Sequence, residues 1–151
     1  MIITFVGHSL VSAQEKVKIM VEEQIKANVI NNERTTFYIG GYGDFDWLCA
    51  HVCRKLKKEL PNSEVIYVTP YLSQSEQLKI KEMKQNRLCD ASLYPPIEAS
   101  PLKFAISKRN EWMVTNADLV ISYVNHAFGG AYKSLQIAKR RKKKIISLGN
   151  L

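Results

Sequence analysis

Five short apolar segments along the chain alternate with longer segments that have a helical spacing of apolar residues. The short segments are IITFV (2–6), TTFYI (35–39), EVIYVT (64–69), DLVISYV (118–124) and KIISL (144–148). Their length and their content of β-branched and aromatic residues predict buried β-strands. The first of them stops at Gly7.

The intervening segments predict helices. Ser12 and Glu15 form a capping-box pattern, which predicts that the first helix opens near residue 12. Pro61 ends the second helix. Apolar stripes with a spacing of four run through these two helices: Ala13, Val17, Val21, Ile25 and Val29, then Leu48, Val52, Leu56 and Leu60. Further helices are predicted over 75–86, 104–117 and 130–142. The segment RLCDASLYPPIEASP (87–101) has three prolines, so it is predicted to lack regular structure.

Strands that alternate with helices in this order predict the α/β class, with a parallel sheet, right-handed crossovers and helices on both faces. Because 151 residues are enough for one buried core and no linker interrupts the pattern, we expect a single domain over 1–151.

The charge changes this picture only locally. The formal net charge is +8, and the run KRRKKK (139–144) supplies most of the excess. This run lies where the last helix should end, and cations there complement the helix dipole. We therefore expect a solvated helix end. A nucleic-acid-binding patch is the alternative, although no aromatic residues that could stack on bases are interleaved with the charges.

The cysteines and the N-terminus indicate a cytoplasmic protein. No basic segment precedes the first apolar run, and no apolar stretch reaches the roughly 18 residues needed to span a bilayer. Cys49 and Cys53 are four residues apart, but a zinc site would need two more ligands. We therefore expect buried thiols, with no metal and no membrane partner. The oligomeric state stays open, a homo-oligomer included.

Three glycine-containing loops follow predicted strands: GHS, GGYGDFD and NHAFGG. In open parallel sheets ligands bind beyond the carboxyl ends of the strands, so these loops predict a binding site. GGYGDFD (40–46) could bind an anion on its amides, with Asp44 or Asp46 as N-cap. A dinucleotide-binding fingerprint would have a third glycine at position 46, where this chain has Asp46, and an acidic residue at position 69, where it has Thr69. The chain also lacks the lysine of a P-loop. Ordinary NAD or ATP chemistry is therefore disfavoured, and no cofactor is expected.

The third loop carries a paired glycine at the start of a helix. The amides of Gly129 and Gly130 could hold a phosphate, or the pair could form only a tight turn. His8 and His126 end strands at the same edge, where either could act as a general acid or base. Arg109 is a candidate phosphate partner.

Together, these motifs resemble the SLOG superfamily, the Rossmann-like fold shared by the DNA-processing protein DprA and the cytokinin-activating LOG enzymes. The resemblance rests on the Gly-His after the first strand, on GGYGDFD, on FAISKRNEWMV and on GGAYKSLQIAKRRKKKIISL, and it covers nearly the whole chain. It is nearest to a small single-domain branch of Firmicutes type. It implies a Rossmann-like three-layer fold with a mainly parallel five-stranded sheet, and nucleotide binding at the glycine-rich edge. The ligand-binding residues that it implies are Gly7, His8, Gly40, Gly41, Gly43, Asp44, Arg109, Asn110, Gly129, Gly130 and Tyr132.

LOG-type phosphoribohydrolases carry a P-G-G-x-G-T-x-x-E pattern, and here Gln136 stands in place of its glutamate. Glutamine cannot exchange a proton or stabilise an oxocarbenium ion by its charge. The expectation is therefore a nucleotide-binding sensor or sequestering module. One alternative is a nucleotide N-glycosidase that uses Asp44, Asp46 or His126, and a second is a DprA-like nucleic-acid-binding module. The sequence leaves open whether the loop 93–101 closes over the site.

Overall fold

A computed structural model describes all 151 residues. The strands are β1 (Ile2–Gly7), β2 (Thr35–Ile39), β3 (Ser63–Val68), β4 (Ala91–Leu93), β5 (Leu119–Tyr123) and β6 (Lys144–Ser147). The helices are α1 (Gln14–Asn28), α2 (Asp44–Leu56), α3 (Gln74–Gln85), α4 (Ala105–Thr115) and α5 (Gly129–Arg140), with one 3₁₀ turn at Leu102–Phe104.

All strands pair in parallel in one sheet, in the order β4-β3-β2-β1-β5-β6. The predicted α/β architecture is thus confirmed. The chain builds outwards from β1 to β4 on one side and then crosses to β5 on the other side. The topological switch point is therefore between β1 and β5, where Gly7 is in register with Tyr123.

The sheet has six strands, not the five predicted, because β4 forms inside the segment expected to be irregular. Asp90 attaches this edge strand to β3: its backbone N–H donates to the carbonyl of Val65, and its carboxylate accepts the Val65 N–H, both at 2.8 Å. Three residues are too few to show a strand pattern, so only the long-range pairing reveals β4.

The first helix begins later than its capping-box pattern predicted. Its N-cap residue is Ala13, and no side chain caps it. Ser12 therefore lies before the cap, and Glu15 lies in the first turn. The capping-box prediction was therefore wrong, although the helix itself carries the predicted apolar stripe on its buried side.

Apolar burial holds helices to both faces of the sheet. The larger core cluster joins the sheet to α1, α2 and α3 through residues such as Val21, Leu48 and Ile80. On the other face, Val114 of α4 and Leu135 of α5 pack on the sheet.

All three cysteines are buried free thiols, as expected. None of the helices has a long enough apolar stretch to cross a lipid bilayer.

Candidate functional site

A cleft of about 650 Å³ opens at the carboxyl edge of the sheet, where β1 and β5 lie side by side. We name it the switch-point cleft. Its polar and glycine lining comes from four parts of the chain: Gly7, His8, Ser9 and Ser12 after β1; Tyr42 and Asp46 after β2; Arg109 and Asn110 on α4; Asn125, His126, Gly129, Gly130 and Ser134 after β5. The edge that the glycine loops predicted is therefore the edge that carries a cleft.

Free amides line one side of the cleft. The N–H groups of Gly129, Gly130 and Ala131 open α5 and donate to no atom of the protein, and no side chain caps the helix. The first turn of a helix also carries the positive end of its dipole. These three amides are therefore available to an acceptor from outside the protein, and an anion is the acceptor that a helix start favours.

The paired glycine leaves open the space that two side chains would otherwise fill at the start of α5. Gly129 has a φ of +88°, a backbone conformation that residues with a side chain rarely adopt. A methyl group built on Gly129 or Gly130 would meet nothing within 4 Å. The backbone conformation explains the glycine at 129, whereas neither conformation nor packing within the protein explains the glycine at 130.

Packing does explain the glycines of the other two loops. A methyl group on Gly7 would fall on the ring of Phe45, and one on Gly43 would lie 2.7 Å from the Cα of Ser9. Gly43 also has a φ of +125°. These two glycines let α2 and its preceding loop lie directly against the end of β1.

The GGYGDFD loop is consequently not a free anion-binding loop. The amides of Asp44 and Phe45 donate to the carbonyls of Ser9 and His8, and the Tyr42 amide donates to the carboxylate of Asp46. Neither aspartate is the N-cap, which is Gly43. Because these amides already have acceptors inside the protein, the loop supports the cleft wall instead of contacting an anion with its backbone.

Three rings form a stack on the β5 side of the cleft. The centroids of His8 and His126 are 4.0 Å apart, and those of His126 and Phe128 are 3.9 Å apart. Phe128 is 69% exposed although it is a large apolar side chain. One of its faces covers His126, and the exposed ring lies directly before the free amides of α5.

The imidazole ring of His8 is neutral and accepts a backbone hydrogen bond. Its Nε2 accepts the backbone N–H of Asn125 at 2.8 Å, which places the ring proton on Nδ1. Burial lowers the pKa of His8, and the nearby His126 lowers it further. The His126 Nδ1 lies 3.1 Å from the carbonyl of Phe128. The two histidines therefore connect the end of β1 to the loop after β5.

Arg109 is almost fully buried and is used largely within the protein. Its Nη1 donates to the carbonyls of Gly40 and Val68, at 2.8 and 2.7 Å, and so joins α4 to the ends of β2 and β3. Its Nε donates to the Oδ1 of Asn110. The Nη2 nitrogen has no partner in the protein, so Arg109 can offer a ligand this one nitrogen but not the free bidentate pair that was expected. Asn110 likewise has an amide nitrogen with no partner in the protein.

The two candidate aspartates lie in different places. Asp46 lines the cleft, and burial raises its pKa, although the Tyr42 amide and the charge of Arg109 oppose the shift. Asp44 lies outside the cleft, where its carboxylate accepts the backbone N–H of Val11.

Behind Asp46 lies a buried polar network that the sequence pattern did not reveal. Glu76 accepts the hydroxyls of Tyr42, Tyr67 and Thr69. Burial alone would raise the pKa of Glu76, but these hydroxyls and the charge of Lys79 hold it below its ordinary value. Burial and the bond to Glu76 raise the pKa of Tyr42 to about 12. Glu76 occupies the fourth position of a Ser-x-x-Glu pattern, which by itself suggests only a helix cap.

Lys79 completes this network. Its Nζ donates to the carbonyl of Gly41 at 3.0 Å and to the Tyr67 hydroxyl at 3.1 Å. It also lies 3.8 Å from the centroid of the Tyr42 ring, close enough for a cation–π interaction. Lys79 therefore holds the loop after β2, and with it the wall of the cleft.

The structure thus brings together most, but not all, of the predicted site. Predicted residues that line the cleft are Gly7, His8, Asp46, Arg109, Asn110, His126, Gly129 and Gly130. Predicted residues that do not line it are Gly40, Gly41, Gly43, Asp44 and Tyr132. Tyr132 packs beside the core between α5 and the sheet. Gln136 and the loop 93–101 are also absent from the lining.

Comparison with known proteins identifies the fold. No family model matches the chain, and a search of curated proteins finds no significant match. Among solved structures, DNA processing protein A from Helicobacter pylori, described for its single-stranded DNA binding mode, matches with a TM-score of 0.63 at 15% identity. DNA processing protein A (DprA) from Streptococcus pneumoniae matches with a TM-score of 0.63 at 16% identity.

The chain has a DprA-type Rossmann-like fold. The alignments cover 97% and 96% of this chain. The resemblance stated from the sequence motifs is confirmed at this level. The chain spans only 64% and 49% of the two DprA chains, so the likeness concerns the fold and not the activity of the whole protein.

Proposed function

We propose that the switch-point cleft binds a nucleotide or a nucleotide derivative, and that the protein acts as a sensor or sequestering module. The observation that carries this proposal is the set of free amides at Gly129, Gly130 and Ala131, which have no acceptor in the protein and belong to residues that line the cleft. A phosphate or diphosphate is the ligand group that such a helix start accepts.

Two neighbouring features support a ligand larger than phosphate. The exposed ring of Phe128, already backed by His126, offers a surface on which a base can stack. The free amide nitrogen of Asn110 can donate to a ribose or phosphate oxygen. The DprA likeness adds support, because one of those proteins is described as binding single-stranded DNA.

The substitution Gly130→Ala tests this proposal. A methyl group at this position meets no protein atom, so it should leave the free energy of unfolding unchanged or raise it by up to about 1 kcal/mol. The same methyl group would occupy the space of a bound phosphate. We expect at least a tenfold loss of nucleotide affinity.

The measurement is a thermal-shift screen of nucleoside phosphates, cyclic nucleotides, ADP-ribose and short oligonucleotides, followed by calorimetry. A true ligand at about 100 times its Kd should stabilise the fold by about 2.7 kcal/mol. Gln77→Ala, at an exposed position in the first turn of α3, is the matched control. The proposal fails if no phosphate-bearing compound stabilises the protein, or if Gly130→Ala binds as well as the parent.

An N-glycosidase is the second candidate, and Asp46 is the observation that favours it. Its carboxyl group lines the cleft with a raised pKa, as a general acid for a leaving base requires. Incubation with nucleoside monophosphates and NAD should then release free base. Asp46→Asn should abolish the release while its amide oxygen still accepts the Tyr42 N–H. Absence of free base with the parent protein would exclude this candidate.

A further inference from the structure

A second large cavity, of about 1050 Å³, lies between the C-terminal ends of α2 and α3. In a parallel sheet these helix ends lie at the amino edge, opposite the switch-point cleft. We name this cavity the basic groove. Its cationic lining consists of Arg54, Lys55, Lys57, Lys58, Lys84 and Arg87.

The protein neutralises only part of this charge. Lys55 pairs with Glu22 at 3.0 Å, and Lys57 lies 3.8 Å from Asp90. The other carboxylate of the groove, Glu59, pairs with Lys26 outside it. No carboxylate lies within 4.0 Å of the charged groups of four groove residues: Arg54, Lys58, Lys84 and Arg87.

Arg87 follows the end of α3 in a left-handed backbone conformation, as Lys142 does at the end of α5. It has a φ of +58° and follows Asn86, the C-cap of α3. The backbone alone completes the cap, because Arg87 N–H donates to Lys84 and Leu88 N–H donates to Met83. Glycine is the residue favoured at such a position. The Arg87 side chain takes no part in this cap, so its guanidinium is left to line the groove.

The chemistry of the groove matches a phosphate backbone. The guanidinium groups of Arg54 and Arg87 suit phosphate oxygens, and Phe, Tyr and Trp are absent from the lining. Contacts would therefore be made through charge and not through base stacking. In the switch-point cleft, by contrast, Arg109 is the one lysine or arginine, and only its Nη2 lacks a partner in the protein.

The run 139–144 also lies at the amino edge, but at the end of α5, on the opposite face of the sheet and at the other end of the strand order. The basic groove is therefore a separate feature. Its four cations without carboxylate partners are spread over the ends of two helices, an arrangement that suits several phosphates of a polymer better than the single phosphate end of a nucleotide. We propose that the basic groove binds the phosphate backbone of a nucleic acid, independently of the switch-point cleft.

The test compares two variants that each lose four positive charges. The groove variant carries Arg54→Gln, Lys58→Gln, Lys84→Gln and Arg87→Gly. The control variant carries Lys16→Gln, Lys81→Gln, Lys103→Gln and Lys108→Gln, at exposed positions outside both cavities. Binding of a labelled duplex of about 20 base pairs, and of a single strand of the same length, is followed by anisotropy between about 50 and 200 mM salt.

The parent should bind both probes, with a slope of log K against log salt of about −3.6 for the duplex if all four side chains contact phosphates. The groove variant should lose at least tenfold in affinity, and the control variant less than threefold. Arg87→Gly alone should reduce the magnitude of the slope by about 0.9 without lowering Tm. This single variant separates lost binding from lost folding.

Several results would overturn the proposal. They are absence of binding at low salt, equal losses in the groove and control variants, and parent-like binding by the groove variant. Tighter binding of a polyglutamate peptide than of either nucleic acid would assign the groove to an acidic protein instead. Loss of oligonucleotide binding in Gly130→Ala would place the site in the switch-point cleft, whereas retained binding supports two separate sites.

Discussion

Arg109 donates its Nε–H to the Oδ1 of Asn110, 2.9 Å away. Because a guanidinium can only donate, this bond fixes the orientation of the Asn110 amide and leaves its NH₂ group for the cleft that both residues line. The same guanidinium joins the carbonyls of Gly40 and Val68. One buried side chain therefore holds three elements together and orients a candidate ligand donor.

We expect Arg109→Met to lower the free energy of unfolding by roughly 3–5 kcal/mol. Methionine leaves the carbonyls of Gly40 and Val68 without their donor and removes one of the two cations, Arg109 and Lys79, that favour the charged form of Asp46. Urea denaturation at neutral pH measures the change. Lys108→Met, at the exposed neighbouring position, should change the stability by less than about 0.5 kcal/mol. Equal stability of the two variants would refute the structural role of Arg109.

Asn110→Asp should separate ligand binding from folding. The carboxylate keeps an acceptor for Arg109, so the fold should be retained. It also removes the only donor of this side chain and adds a negative charge near the proposed phosphate. We expect at least a tenfold loss of nucleotide affinity by calorimetry, with a Tm close to that of the parent. Unchanged affinity would exclude Asn110 from the binding site.

Acidification should destabilise the protein through His8. Burial and His126 lower its pKa below the ordinary 6.5, so the unfolded chain binds a proton more readily than the folded one. Well above pH 6.5, His8 is neutral in the folded and the unfolded chain and does not change the free energy of unfolding. As the pH drops below 6.5, the unfolded chain takes up the proton first, so the free energy of unfolding falls. Protonation also replaces the acceptor for the Asn125 N–H with a donor.

The measurement is the free energy of unfolding at pH 7.5 and at pH 5, for the parent and for His8→Asn. The parent should lose more stability than the variant, because the variant has no proton to bind at this position. A parent that became more stable on acidification, or a variant with the same pH dependence, would contradict this account of His8.

Gly7→Ala should destabilise the fold, in contrast to Gly130→Ala. The added methyl group would overlap the ring of Phe45, which is fully buried, so we expect a loss of about 1–3 kcal/mol. Thermal denaturation measures it. A second substitution, Phe45→Leu, should cost less in the Gly7→Ala background than in the parent, because the smaller side chain relieves the overlap. Additive effects would argue against direct contact.

The helices and strands were largely predictable because their signals are local. The apolar stripe at Val17, Val21 and Ile25 marks α1 wherever it packs, and TTFYI (35–39) coincides with β2 residue for residue. The order of the strands in the sheet could not be predicted from such local signals, and strand β4 was not predicted at all. Three residues at a sheet edge carry no period of their own, and only pairing with β3 makes them a strand.

The site shows the same division. That ligands should meet the glycine loops at one edge follows from parallel topology, and the cleft lies there. The spacing of the glycines in the sequence did not indicate which of them line the cleft. Arg109 looked like a free phosphate partner, yet the sheet carbonyls occupy its Nη1 and Asn110 its Nε. No sequence pattern indicated the role of Glu76, which accepts three hydroxyls from residues distant in the chain or on a neighbouring strand.

Periodicity and composition along the chain were sufficient for the α/β class, for the positions of five of the strands and for the edge where a ligand would bind. These properties depend on neighbours in the chain. The exposure of an amide depends instead on what packs against it from elsewhere. Phe45 and Ser9 approach Gly7 and Gly43, whereas no protein atom comes within 4 Å of a methyl group placed on Gly129 or Gly130. Long-range packing therefore covers the glycines of the loops after β1 and β2, whereas Gly129 and Gly130 in the loop after β5 stay uncovered.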